Sequence, residues 1–304
     1  MTKPETLAQR ITHTAAEAPD PAITAFAEEL GGSQDGALAV LFYGSNRRTG
    51  SLDGVLDFYI LTDGTSESGI WPRVGYREWM RGNTVLRAKI AVMTLAKFTQ
   101  AAAGNSRDTT IWARFVQPAS LVWHRDAMAR ADALDAMEQA VCTAARLALA
   151  LGPAEGPERA YWSALFRETY RAEFRVEAPG RENSILDLNA AHFDGLLPLA
   201  MAALGIAYTQ QDGVLRPTLP ADARAATLRW WRRRRRMGKA LNIARLVKAA
   251  RTFDGAARYA AWKVERHTGM AVEVTPWRER HPVLAAPGVL FSLWRERQTR
   301  RRGR

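Results

Sequence analysis

A glycine-serine pair, Gly44-Ser45, and an aspartate, Asp57, are the residues of this sequence whose types and spacing best suit chemistry. They lie in LFYGSNRRTGSLDGVLDFYILTD, Leu41 to Asp63, where two apolar runs flank a polar loop. Glycine carries no side chain, so a Gly-Ser turn lets backbone amides and a hydroxyl approach a phosphate chain closely. A carboxylate on the neighbouring run can hold Mg2+, which bridges phosphates and stabilises charge at a reacting phosphorus. Asp57 stands among Val55, Leu56, Phe58 and Ile60, where an unpaired charge costs several kcal/mol. Taken singly, Gly-Ser is a common turn, and a lone strand acid is a strand-edge residue or half of a buried ion pair.

Strand, Gly-Ser turn, loop and acid-bearing strand is the organisation of the nucleotidyltransferase fold. Its usual form carries two acids at i and i+2, on one face of the strand. Here the partner position of Asp57 is Val55, which cannot bind a metal. Asp53 and Asp63 stand about 13 and 20 Å away along an extended strand. Asp63 is therefore a poor co-ligand, and Asp53 returns only if 49–54 folds back, which its Thr-Gly and Asp-Gly pairs permit. The second carboxylate is expected from elsewhere in the chain. Other chemistries find less support. The histidines His13, His124, His192, His267 and His281 are too scattered for zinc ligation, and no Ser-His-Asp set or Walker-type loop is readable.

The positioning elements follow from pattern. ALAVLFYG (37–44), GVLDFYILT (54–62), RAKIAVMTL (87–95) and SLVWH (120–124) read as strands, with a longer connection at 64–86. Residues 4–31 read as two short helices broken at Pro19-Asp-Pro21, and helical spacing recurs from about Asp132, in 157–174 and in 190–205. Residues 207–224 read as a connector with a Gln-Gln-Asp-Gly turn. The fold class is α/β (α+β): a nucleotidyltransferase-like mixed sheet with flanking helices, followed by a helical C-terminal part. The expected division is 1–130, the nucleotidyltransferase-like domain; 131–228, a helical domain completing the site; and 229–304, a basic helical tail.

The 304 residues, 47% hydrophobic and 24% charged, have the composition of a globular protein with a sizeable core. A single cysteine, Cys142, excludes an internal disulfide and reads as a small buried residue. No apolar run is long enough to span a membrane. The N-terminal MTKPETLAQRITHTAAEAPDP lacks the apolar core of a secretion signal, so a cytoplasmic location is expected. Charge is lopsided: residues 229–304 hold 21 Lys/Arg against 5 Asp/Glu, and residues 1–228 hold 22 against 26. A near-neutral body with a basic tail attracts polyanions, either nucleic acid or an anionic membrane.

In these residues and their order, the sequence resembles the mitochondrial-type phosphatidate cytidylyltransferases, also called translocator assembly and maintenance proteins. That family has a Tyr-Gly-Ser-Gly turn followed by one aspartate in a short apolar strand. Tyr43, Gly44, Ser45 and Asp57 match, with Asn46 in place of the second glycine. RAKIAVMTLAKF resembles the family's Lys-Tyr-Gly-Val-Ile segment and puts Lys89 on its lysine. WARFVQPASLVW resembles the Gly-Arg-Leu-His-Lys-Pro block, with Arg114 and Pro118 in register. TYRAEFRVE resembles Ser-Tyr-Ser-Gly-Asp-Phe-Arg, matching Tyr170, Phe174 and Arg175, with Glu173 where the family has aspartate. MGKALNIARLVKAA resembles its Lys- and Ala-rich helical region more loosely. The blocks keep the family's order over residues 37–265.

The resemblance implies a reaction of CTP with phosphatidate that uses Mg2+ and yields CDP-diacylglycerol and pyrophosphate. It implies that Gly44 and Ser45 cradle the triphosphate and that Asp57 and Glu173 hold the metal. Lys89 would offset phosphate charge, and Tyr43, Arg114, Tyr170 and Arg175 would bind nucleotide. A lipid substrate requires a membrane surface, here the inner, cytoplasmic face of the membrane, reached peripherally. The tail TPWRERHPVLAAPGVLFSLWRERQTRRRGR suits it, with an apolar centre from Val283 to Trp294 between Trp and Arg flanks. RWWRRRRRMGK fits anionic lipid better than nucleic acid, though arginines beside tryptophans also suit phosphate contacts and base stacking. The rivals are a nucleotidyltransferase with a protein, sugar or RNA-end acceptor, and a non-catalytic basic protein that binds RNA or membrane.

Overall fold

A five-stranded mixed sheet carries the candidate residues. The computed structural model describes residues 5–69, 71–82, 84–172, 181–252, 255–268 and 272–280. Helices α1 (Leu7–Ala16) and α2 (Pro21–Ser33) lead into β1 (Ala37–Tyr43), the one-turn helix α3 (Ser45–Thr49) and β2 (Leu56–Thr62). The hairpin β3 (Arg73–Arg81) and β4 (Thr84–Thr94) follows, then α4 (Leu95–Ala102), α5 (Thr110–Phe115) and β5 (Ser120–His124). The strand order is β3-β4-β2-β1-β5, with β2 and β4 parallel and the other pairs antiparallel.

The strands expected at 37–44, 54–62, 87–95 and 120–124 are β1, β2, β4 and β5. The connection expected at 64–86 instead contains β3. This strand lies at the sheet edge, and of its side chains Tyr76 alone is buried. Its charged residues Arg73, Arg77, Glu78 and Arg81 hide the alternation that marks a half-buried strand.

Alternation on the inner strands sorts two cores. Val40, Phe42, Phe58, Ile60 and Ile90 face Ile23, Phe26 and Leu30 of α2. Leu41, Tyr59, Leu61, Ala91 and Met93 face the larger helical layer, whose centre is α6 (Ala127–Leu151). Asp126 caps α6, its carboxylate accepting from Ala129 N at 2.8 Å. The chain continues through β6 (Gly156–Pro157), α7 (Glu158–Ala172), α8 (Arg181–Leu188), α9 (Ala190–Phe193) and α10 (Leu196–Ala203). The connector expected at 207–224 contains a hairpin, β7 (Tyr208–Gln211) and β8 (Val214–Pro217). Asp212 and Gly213 turn it at φ 52° and 77°, the paired positive φ of a type I′ turn.

The basic segment begins inside α11 (Ala221–Thr252), which runs unbroken through residue 229. Trp231, 2% exposed, joins the larger core, and Trp230 and Trp231 lie 5.8 and 6.0 Å from the Trp112 ring. Arg234 donates to Gly104 O at 2.6 Å and Ser106 O at 2.9 Å. Arg229, Arg232, Arg233 and Arg236, spaced three and four apart, are exposed on the other face. The arginine run is thus divided by the helix into an anchoring face and a cationic stripe. The segments α12 (Ala256–Thr268) and α13 (Pro276–Arg280) complete the described chain. The expected apolar tail centre, Val283 to Trp294, lies outside the described residues. Among the described residues no helix is long and apolar enough to cross a membrane.

Trp231→Ala should lower stability by about 3–5 kcal/mol in urea unfolding. Arg232→Ala, on the exposed stripe, should change it by about 0.5 kcal/mol or less.

Candidate active site

At the end of β1 the backbone turns at Gly44 with φ 91° and ψ −162°. A Cβ placed there would lie 2.7 Å from Asp57 Oδ2. Both the left-handed φ and this close approach require glycine. The turn is thereby pressed against the carboxylate that β1–β2 pairing sets opposite Tyr43.

Two side chains hold the following loop in shape. Asn46, 7% exposed, donates through Nδ2 to Ser51 O at 2.9 Å and Asp53 O at 2.8 Å. Its Oδ1 accepts from Ser45 Oγ at 3.4 Å. Where the resembled turn has glycine, this chain therefore has a clamp that folds 45–53 back on itself. Arg47 ties α3 outward, donating to Ser120 Oγ and Thr14 O, each at 3.0 Å, and pairing with Glu17 at 2.9 Å.

Register assembles the rest. Tyr43 pairs with Asp57, Asp57 with Lys89, and Lys89 with Tyr76, so these residues form one row across β1, β2, β4 and β3. Directly paired residues share a sheet face. The half-buried Asp57 therefore stands beside Lys89, whose side chain is exposed. Arg114 of α5 approaches from the core side. Its Nη1 donates to Tyr59 OH at 3.1 Å, and its guanidinium lies 5.4 Å from the Tyr43 ring centroid and 5.8 Å from that of Tyr59.

Burial raises the Asp57 carboxyl above its ordinary range, while Lys89, Arg114 and Arg48 pull it back down. Burial also holds the Tyr43 phenol neutral, well above its usual value, against the pull of Arg114. The arrangement is one carboxylate in a shell of three cations beside an open backbone turn, a place suited to a phosphate chain.

Of the expected residues, Tyr43, Gly44, Ser45, Asp57, Lys89 and Arg114 come together here. Tyr170 packs from α7 against the larger core. Glu173, the expected second carboxylate, and Arg175 lie outside the described residues. The helix preceding them ends beside α11, where a Cβ on Gly238 would lie 2.6 Å from Ala172 O. Among the described residues, no three of His, Cys, Asp and Glu gather as a metal cluster.

Compared with known proteins, the chain matches no family model and no curated sequence. Sequence reasoning passed over Arg48, Tyr59 and Arg47, and noted Asn46 only as a replacement for glycine. Tyr59 carried a signal, being two residues beyond Asp57 and so on its face. Arg47 and Arg48 carried a weaker one, as cations directly after the turn.

Gly44→Ala should weaken binding of inorganic tripolyphosphate while leaving a folded sheet by circular dichroism, because the added methyl meets Asp57. For Asp57, a folded pKa above the unfolded one means stability is lost as pH rises through the folded value. Asp57→Asn should therefore melt higher than wild type at neutral pH without metal or nucleotide. The gap should close as pH falls into the ordinary aspartate range. A lower melting temperature would mean that attraction from the three cations outweighs burial.

Proposed function

We propose that this protein is a nucleotidyltransferase that joins CTP to phosphatidate at a membrane surface, giving CDP-diacylglycerol and pyrophosphate. The observation carrying this reading is the contact of the Gly44 backbone with the Asp57 carboxylate inside the shell of Lys89, Arg114 and Arg48. A phosphatidate oxygen attacks the α-phosphorus of CTP, and the bond to pyrophosphate breaks with its electron pair leaving on that group. The attacking oxygen is already anionic, so no strong general base is needed. Positioning and electrostatics supply the rate. Lys89, Arg114 and Arg48 bind the phosphates, and the Gly44-Ser45 turn offers its backbone to them.

Asp57 fits Mg2+, which is commonly held by one or two carboxylates together with substrate phosphates. When bound, the ion neutralises charge on the phosphates. Glu173 is the proposed second carboxylate. CTP and phosphatidate are supported by the five motif blocks in family order, and a membrane is supported by the arginine stripe on α11. The stripe also suits a purely binding protein, and Val55 in place of an acid favours that second reading.

The test is purified protein with phosphatidate liposomes, labelled CTP and Mg2+. Label should enter lipid, and Asp57→Ala should reduce it by about 100-fold or more, as loss of several kcal/mol of charge stabilisation implies. Label in a protein, sugar or RNA acceptor would keep the transferase but replace the lipid. Retention on liposomes or RNA with no transfer from any nucleotide would leave only the binding protein.

A further inference from the structure

Helix α12, part of the basic C-terminal segment, lies across the sheet end that holds Asp57 and Lys89. Its start is pressed on β3. A Cβ on Gly255 would lie 2.7 Å from Tyr76 O, and the Tyr259 and Tyr76 rings are 5.5 Å apart. One turn on, the Arg87 guanidinium sits 5.7 Å from the Trp262 ring centroid. One turn further, Arg266 reaches the loop entering β2, where a Cβ on Gly54 would lie 3.1 Å from its Nη1.

Tyr259, Trp262 and Arg266 are spaced three and seven apart and so share one helix face. From Tyr259 to Arg266 a helix rises about 10.5 Å. From β3 across β4 to β2 is two strand spacings, about 10 Å. The lengths agree, so α12 crosses the strands rather than following them. Arg87 shares a face with Lys89, two residues on, and Tyr76 is paired with Lys89. The inner face of α12 therefore borders the site on the side away from Arg114, which stands over Tyr59 further along β2.

Arg266 is exposed, and among the described residues no carboxylate pairs with it. Its guanidinium lies 5.2 Å from the Trp262 ring centroid. Stacking orients a guanidinium while leaving its in-plane N–H groups to donate, the geometry that phosphate recognition uses.

We propose that Arg266 binds the phosphate chain of the nucleotide in the Asp57 site, with Trp262 orienting it. The basic segment then serves the site as well as any surface. This inference rests on the nucleotide reading of the site, but its probe, inorganic tripolyphosphate, requires no transfer.

Calorimetric titration with tripolyphosphate compares wild type, Arg266→Ala, Arg266→Lys and Arg258→Ala. Arg258 pairs with Glu279 at 2.8 Å and is a charge-matched control on the same helix. Arg266→Ala should weaken binding about tenfold, the loss of one charge-assisted contact. Arg266→Lys should fall between, and Arg258→Ala should match wild type. Melting curves report folding, and Arg266→Lys decides the matter if the alanine variant unfolds. Unchanged affinity in the Arg266 variants, or an equal loss in Arg258→Ala, overturns the proposal and leaves the transferase reading intact. Arg266-dependent binding without transfer from any nucleotide overturns that reading and keeps the site. No binding by wild type overturns both.

Discussion

The contact between the Gly44 backbone and the Asp57 carboxylate is the constraint on which the rest of the site depends. It needs glycine at a left-handed φ, and it needs β1 and β2 in the one register that sets Asp57 opposite Tyr43. A one-residue slip would move Asp57 to the other face of the sheet, among Val40, Phe42 and Ile90 beneath α2. The apolar residues around Asp57 therefore aim it. They fix the register, and the register points the acid at the turn.

That placement carries an energetic cost, which the proposed phosphate-binding role would offset. Burial holds the Asp57 carboxyl up even with Lys89, Arg114 and Arg48 nearby. A purely structural ion cluster would be expected to favour the charged form. Here the cations face a turn that can admit a phosphate chain, and Asn46 and Arg47 keep that turn from collapsing. The clamp replaces the flexibility of a second glycine with two hydrogen bonds from a buried amide.

The sequence made the inner strands readable because each is a buried apolar run with a clear end. It did not reveal β3, whose charged edge residues break the pattern, nor the β7–β8 hairpin, whose strands are short and mostly polar. Gly44 and Asp57 were legible because residue type alone limits what they can do. The row from Tyr43 through Asp57 and Lys89 to Tyr76 was not, since it depends on pairing between strands distant in sequence. The basic segment was read by its charge, which concealed that Trp230, Trp231 and Arg234 anchor α11 on the core. The same charge concealed the inward face of α12.

The central claim is that Asp57 and the Gly44-Ser45 turn together bind a metal-nucleotide complex. Its most direct test is a crystal structure with a non-hydrolysable CTP analogue and Mn2+ in place of Mg2+, read by anomalous scattering. The account predicts a manganese peak at the Asp57 carboxylate, with the phosphates against the Gly44 backbone. A manganese peak and phosphates bound elsewhere, with Asp57 still facing its three cations, would contradict it.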